Sequence, residues 1–267
     1  MKTQYMVRTE GTLAYTDYGG EGELVLMFPG IGALRSEYRY LAPRLLDVGF
    51  HPVAVDLRGQ GESSVRWPVF DIPSTGGDVI AMLDHLEVES AHMIGTSFAA
   101  GSVVWAAAEN PDRIRSITLI GPFARIPKIS PVMGALFWFM LNNPFRVKMW
   151  LSYYGSLYPA QKPPDFGDYL HDLEANLREP GRYKAFAALA GSSRQPSEER
   201  LGKVRAPTLV IMGTKDPDFP DPVAEARFLA EQTRGRMELI DKAGHYPQTE
   251  MPDRTAALII DFLKQAR

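Results

Sequence analysis

The 267-residue chain contains no cysteine. That absence removes disulfides, thiolate metal ligands and cysteine nucleophiles together, and it fits a reducing cytoplasm. Nor is there an apolar run long enough to cross a bilayer, which takes about 20 residues. The most apolar stretch, PVMGALFWFMLNNPF, is interrupted by Asn142 and Asn143. The N-terminal MKTQYMVRTEGTL lacks the apolar core of a secretory signal, so a cytoplasmic protein without a membrane span is expected. Basic clusters are missing as well, and with a net charge of −3 the chain carries no footprint for nucleic acid. A hydrophobic content of 45% and a charged content of 23% belong to an ordinary globular chain. At this length one large domain, or one domain with an insertion, is the expectation.

What is present is an alternation of short β-type runs with helical patterns. Strands are expected at 4–8, 12–18, 24–28, 52–56, 91–94, 116–120, 208–212 and 237–240. Helices are expected at 36–48, 74–86, 98–109, 221–231 and 254–265. The first two runs alternate polar with apolar residues, as a half-buried antiparallel pair does. From LVLMF onward the runs are apolar throughout, as parallel strands covered on both faces are. The pattern predicts an α/β fold, an eight-stranded, mostly parallel sheet with helices on both faces.

The alternation stops between 124 and 205. This segment is rich in Phe, Trp, Met, Tyr and Pro, and it reads as three or four helices inserted between two strands. Insertions of this kind at C-terminal strand ends sit over the ligand crevice. The expected organisation is therefore a core of 1–123 and 206–267 with a helical lid, or cap, of 124–205. Among the lid aromatics, which include Phe137 and Tyr153, the expected substrate-binding residues are Trp138, Phe139, Trp150 and Tyr154. Arg146 and Lys148 are expected on a solvated face.

The stretch HMIGTSFAAGS, residues 92–102, runs from strand to helix with Ser97 at the reversal. A tight turn there would strain the serine backbone and lift its hydroxyl above the sheet edge, which only small neighbours permit. Gly95, Ala99, Ala100 and Gly101 meet that demand. Taken alone, a small-Ser-small pattern is as readily a crowded turn as a nucleophile. A serine nucleophile also needs a base. His51 and His92 begin strands at the far sheet edge, His85 is on a surface helix and His171 is in the lid. His245, in AGHYPQTEMPD, follows the last strand and so shares a side of the sheet with Ser97. TLVIMGTKDPDFP offers Asp216 and Asp218 as acids to orient it, while Asp221 suffices to cap the next helix.

Together these segments resemble the α/β-hydrolase family over nearly the whole chain. GTSFA follows G-x-S-x-G except for Ala99 at the last position. Gly244, His245, Pro247, Glu250 and Pro252 match G-H-x-P-x-x-E-x-P, and Gly213, Asp216 and Pro220 match G-x-x-D-x-x-x-P. The resemblance implies a Ser97–His245–Asp216 triad, with Asp218 the weaker candidate for the acid. It also implies an oxyanion hole made by the backbone N–H groups of Ile31 and Phe98, with Pro29 where the family usually has histidine. VDLRGQGES supplies Asp56, Gly59, Gly61 and Ser63 as turn-forming residues.

The activity implied is hydrolysis of carboxylic esters of small-to-medium hydrophobic or aromatic substrates through an acyl-enzyme, with no cofactor and no metal. A slow-turnover ligand receptor, a carbon–carbon bond hydrolase, a hydroxynitrile lyase and a cofactor-free haloperoxidase would carry the same three residues. A dinucleotide-binding reading competes: GIGALR follows a strand, and Asp56 ends the next one. Against it, Arg35 fills the third glycine position and two strands come before the motif.

Overall fold

A computed structural model of the chain describes residues 2–125 and 131–266. Its strands are β1 (Gln4–Arg8), β2 (Gly11–Asp17), β3 (Leu24–Phe28), β4 (His51–Val55), β5 (Ala91–Thr96), β6 (Ile114–Ile120), β7 (Thr208–Gly213) and β8 (Arg236–Ile240). The helices are α1 (Leu41–Asp47), α2 (Ile72–His85), α3 (Phe98–Glu109), α4 (Pro131–Asn142), α5 (Arg146–Ser156), α6 (Phe166–Arg178), α7 (Arg182–Ala190), α8 (Gln195–Glu198), α9 (Pro222–Thr233), α10 (Pro247–Glu250) and α11 (Pro252–Gln265). One eight-stranded sheet runs β1-β2-β4-β3-β5-β6-β7-β8. β2 is antiparallel to β1 and β4, and the remaining neighbours are parallel.

The apolar strands divide their side chains between two cores because successive residues point to opposite faces. On β3, Leu24, Leu26 and Phe28 enter one core with α2, α3 and α9. Val25 and Met27 enter the other with α1 and α11. Helices thus cover both faces, and every parallel strand directs its C-terminal end to one rim.

The expected helix at 36–48 is two pieces, a 3₁₀ turn at Arg35–Arg39 followed by α1. Pro43 is the cause: it lacks an N–H and its ring crowds the carbonyl four residues earlier, so one helix cannot run through. α2 begins two residues earlier than expected, since Asp71 accepts the Ser74 N–H at 2.8 Å and caps it. Between β6 and β7 lie α4 to α8, and α4 to α7 build a separate apolar cluster around Trp150, Tyr154, Phe166 and Phe186. No helix among the described residues is long and apolar enough to cross a membrane.

Candidate active site

Ser97 sits between the last residue of β5 and the first of α3, with φ 56° and ψ −121°. Only glycine enters that region easily, and other residues held there cost about 1–3 kcal/mol. Three backbone hydrogen bonds hold it: Ser97 N–H to the Ile120 carbonyl at 2.8 Å, and Phe123 and Ala100 N–H to the Ser97 carbonyl at 3.0 and 3.1 Å. Gly95 is obligatory, because a Cβ there would lie 2.6 Å from the Ala99 carbonyl oxygen and 2.8 Å from the Ala100 nitrogen. The methyl of Ala99, where the family pattern has glycine, is accommodated in the core that α3 shares with α2.

His245 lies on the loop between β8 and α10. Its Nδ1–H donates to Asp216 Oδ2 at 2.7 Å, and both side chains are buried. Asp218 is the poorer partner, 3.5 Å from the same nitrogen, and its other oxygen accepts from the Tyr153 hydroxyl. The Asp218 N–H in turn donates to Asp216 Oδ1 at 3.0 Å, which fixes the carboxylate that faces the imidazole. Burial alone would lower the His245 pKa, but the carboxylates of Asp216 and Asp218 outweigh it and push the pKa up to about 9. These three residues are also the grouping whose ligand atoms lie within 4.8 Å of one another. The 2.7 Å contact is a charge-assisted hydrogen bond, and an ion there would have to displace its proton.

Gly30 and Gly121 bring the serine and histidine to one place. A Cβ on Gly30 would lie 3.1 Å from both Ser97 Cβ and the Tyr246 hydroxyl; one on Gly121 would lie 3.0 Å from His245 Nδ1. The imidazole is flanked by Phe123 and Tyr246 at ring separations of 5.8 and 4.9 Å.

The loop after β3 is tied down by side chains. Gly30 N–H reaches Glu37 Oε2 at 3.4 Å, Gly32 N–H donates to Gln60 Oε1 at 2.6 Å, and Trp150 Nε1 donates to the Gly32 carbonyl at 3.0 Å. The Ile31 N–H, between them, makes no hydrogen bond among the described residues. Phe98 N–H begins α3 and so has no partner within the helix. Proline at position 29 therefore does not leave the loop unsupported.

Of the lid aromatics expected at the site, Trp150 and Tyr154 are buried, Trp150 against Gly32 and Tyr154 against Tyr246 at 5.0 Å. Trp138 and Phe139 are not brought there: they are 65% and 52% exposed on α4. The reason is that α4 is apolar on every side, so its sequence does not mark an inward face. His171 is exposed on α6. Asp221 caps α9 through the Ala224 N–H at 2.9 Å. Arg35 donates to Asp56 from its backbone and its guanidinium, which occupies the acid that a dinucleotide ribose would need.

Sequence reasoning missed Glu37, which is 1% exposed. It accepts from Gly30 and from Gln248 Nε2, and Gln248 also reaches Thr96 Oγ1 at 3.4 Å. One carboxyl group thus links the loop after β3 to α10 and the residue before Ser97. Burial pushes its pKa up to about 7, against the pull of those hydrogen bonds. Its partner stands 211 residues along the chain, so no local pattern announces it.

The model of the alpha/beta hydrolase family matches residues 25–258. The chain belongs to that family. This α/β hydrolase is 28% identical over 273 residues to a 2-hydroxy-6-oxononadienedioate/2-hydroxy-6-oxononatrienedioate hydrolase of Cupriavidus pinatubonensis, covering 96% of this chain and 91% of that one. It is 29% identical over 255 residues to a pimeloyl-[acyl-carrier protein] methyl ester esterase of Neisseria meningitidis, covering 90% and 93%. Among solved structures, a hydrolase from Pseudomonas aeruginosa superposes with a TM-score of 0.81 at 24% identity over 98% of each chain, a likeness of fold. The α/β hydrolase is an enzyme of the hydrolase class.

Proposed function

We propose that this α/β hydrolase cleaves carboxylic esters through a Ser97 acyl-enzyme. The observation that carries the reading is the strained Ser97 turn beside a buried His245–Asp216 pair. His245 Nε2 takes the hydroxyl proton as Ser97 Oγ bonds to the ester carbonyl carbon, and Asp216 holds the ring in the tautomer that leaves Nε2 free. The carbonyl electrons move onto oxygen, where the Ile31 and Phe98 N–H groups stabilise the charge by about 3–4 kcal/mol per donor. Collapse expels the alcohol, which takes the proton from His245. Water then repeats the sequence and releases the acid. The lid comprises 124–205 and closes over a hydrophobic ester; Trp150 and Tyr154 contribute to its lining.

A second reading is hydrolysis of a carbon–carbon bond beside a ketone. It is favoured by the Cupriavidus relative, whose 2-hydroxy-6-oxo dienedioate name contains a ketone and no ester. Steady-state turnover of p-nitrophenyl butyrate separates the possibilities. The enzyme is expected to cycle many equivalents and Ser97→Ala none. A single equivalent followed by a stall would instead mark a ligand receptor, and no release at all would overturn the ester reading.

A further inference from the structure

Three arginines among the described residues are buried: Arg58, Arg182 and Arg194. Arg58 pairs with Asp78 at 2.7 Å and Arg182 with Glu179 at 2.8 Å. Arg194, 6% exposed between α7 and α8, has no carboxylate. Residues 126–130, IPKIS, which lie outside the described structure, contain no acid that could provide one. A guanidinium withdrawn from water without a counter-ion is strongly penalised, so its retention asks for a reason.

The details of its bonding supply one. Nη1 takes the protein's own acceptors, the carbonyls of Leu189 and Ser192 at 3.3 and 2.5 Å and Ser192 Oγ at 3.0 Å. Leu189 is in the last turn of α7 and Ser192 lies just beyond it, and together they hold the side chain in one orientation. Among the described residues, Nε is buried with no hydrogen-bond partner and Nη2 makes no hydrogen bond. The edge formed by Nε and Nη2 is the one that receives a carboxylate side-on through two parallel N–H···O bonds. The guanidinium carbon lies 4.4 Å from the centroid of the Phe98 ring, and Phe98 is the residue directly after the nucleophile.

We propose that Arg194 is a substrate-recognition residue, its free Nε–Nη2 edge receiving a carboxylate borne by the ester in the Ser97 site. The substrate class is then an anionic ester, with a carboxylate on its acyl or its alcohol part. This rests on the ester-hydrolase reading above. The burial that pulls the Arg194 pKa down to about 10 is uncompensated in the free protein, and a bound carboxylate would supply the missing charge. The Cupriavidus relative is named for a dienedioate, a carboxylate compound.

The test compares kcat/KM for matched ester pairs: p-nitrophenyl hydrogen glutarate against p-nitrophenyl pentanoate, and 4-acetoxybenzoate against phenyl acetate. In the unaltered enzyme at least one anionic ester should exceed its neutral partner. In Arg194→Gln that ratio should fall by about 10- to 100-fold, the scale of a charge-assisted hydrogen bond, with Arg194→Lys between the two. A purely structural role would lower both members of a pair together and leave the ratio unchanged, which overturns the proposal, as does a preference for the neutral ester in both pairs. Should Arg194→Gln fail to fold, competitive inhibition of neutral-ester turnover by glutarate and benzoate in the unaltered enzyme decides: inhibition by neither overturns it. Neutral-ester turnover abolished by Ser97→Ala tests the hydrolase reading separately.

Discussion

Trp150 of α5 donates its indole N–H to the carbonyl of Gly32, and the rings pack so closely that a Cβ on Gly32 would lie 2.5 Å from Trp150 Cε2. A side chain from the helices inserted between β6 and β7 thus holds the loop that carries the Ile31 N–H. Trp150→Phe removes the donor and leaves that carbonyl buried without its partner, which should destabilise the fold by about 2 kcal/mol. The urea midpoint measures this. Because the loop loosens, kcat should fall more than KM rises.

The two aspartates beside His245 are separable. Asp216→Asn reverses the hydrogen bond that sets the ring tautomer, and turnover should fall about 10³- to 10⁴-fold. Asp218→Asn leaves the 2.7 Å contact intact and should cause a much smaller loss. Equal losses, or the reverse order, would reassign the acid.

Ser97→Gly should separate stability from activity. Glycine adopts φ 56° without the clash that serine endures there, so the variant should be more stable by about 1 kcal/mol while turnover is lost. Denaturant unfolding and an ester assay on one preparation check both halves.

Two buried groups give stability a common pH direction. Glu37 rises from an ordinary 4.5 to about 7, so the folded state holds a proton that the unfolded chain has released. Its contribution is full below pH 4.5 and is lost as pH climbs to about 7, on the order of 3 kcal/mol in all. His245, raised from 6.5 to about 9, adds stability that is full below pH 6.5 and disappears as pH passes 9. Glu37→Gln should flatten the first interval of a stability–pH curve and leave the second in place.

In the proposed mechanism the same imidazole must be neutral to accept a proton from Ser97. The kcat/KM profile should therefore keep climbing past neutrality and level near pH 9. Removing one neighbouring anion in Asp218→Asn should move that rising limb toward lower pH. A limb that stays put would mean that Asp218 does not act on the base.

The sheet was readable because its strands are uninterrupted apolar runs bounded by turns, and the Ser97 turn because only small residues fit around it. His245 and Asp216 lie just past strand ends, so the parallel topology delivers them to one rim whatever the intervening chain does. Other features escaped for physical reasons. Pro43 divides a helix whose apolar spacing looks continuous. Trp138 and Phe139 look like pocket residues because α4 has no polar side to mark its outer face. Glu37 and Arg194 draw their meaning from what surrounds them in three dimensions, a buried network in one case and a missing counter-ion in the other.

Glu250 binds the Gly244 N–H at 2.6 Å with one oxygen and the Ala160 N–H at 2.6 Å with the other, while the His245 N–H donates to the Leu157 carbonyl at 3.0 Å. Chain just beyond α5 is therefore anchored to the segment bearing the imidazole. If the proposed lid moves to admit a substrate, that side of it cannot swing away without dislodging His245. Under that reading the opening lies elsewhere, and the proposed proton acceptor stays fixed while the rest of the canopy breathes.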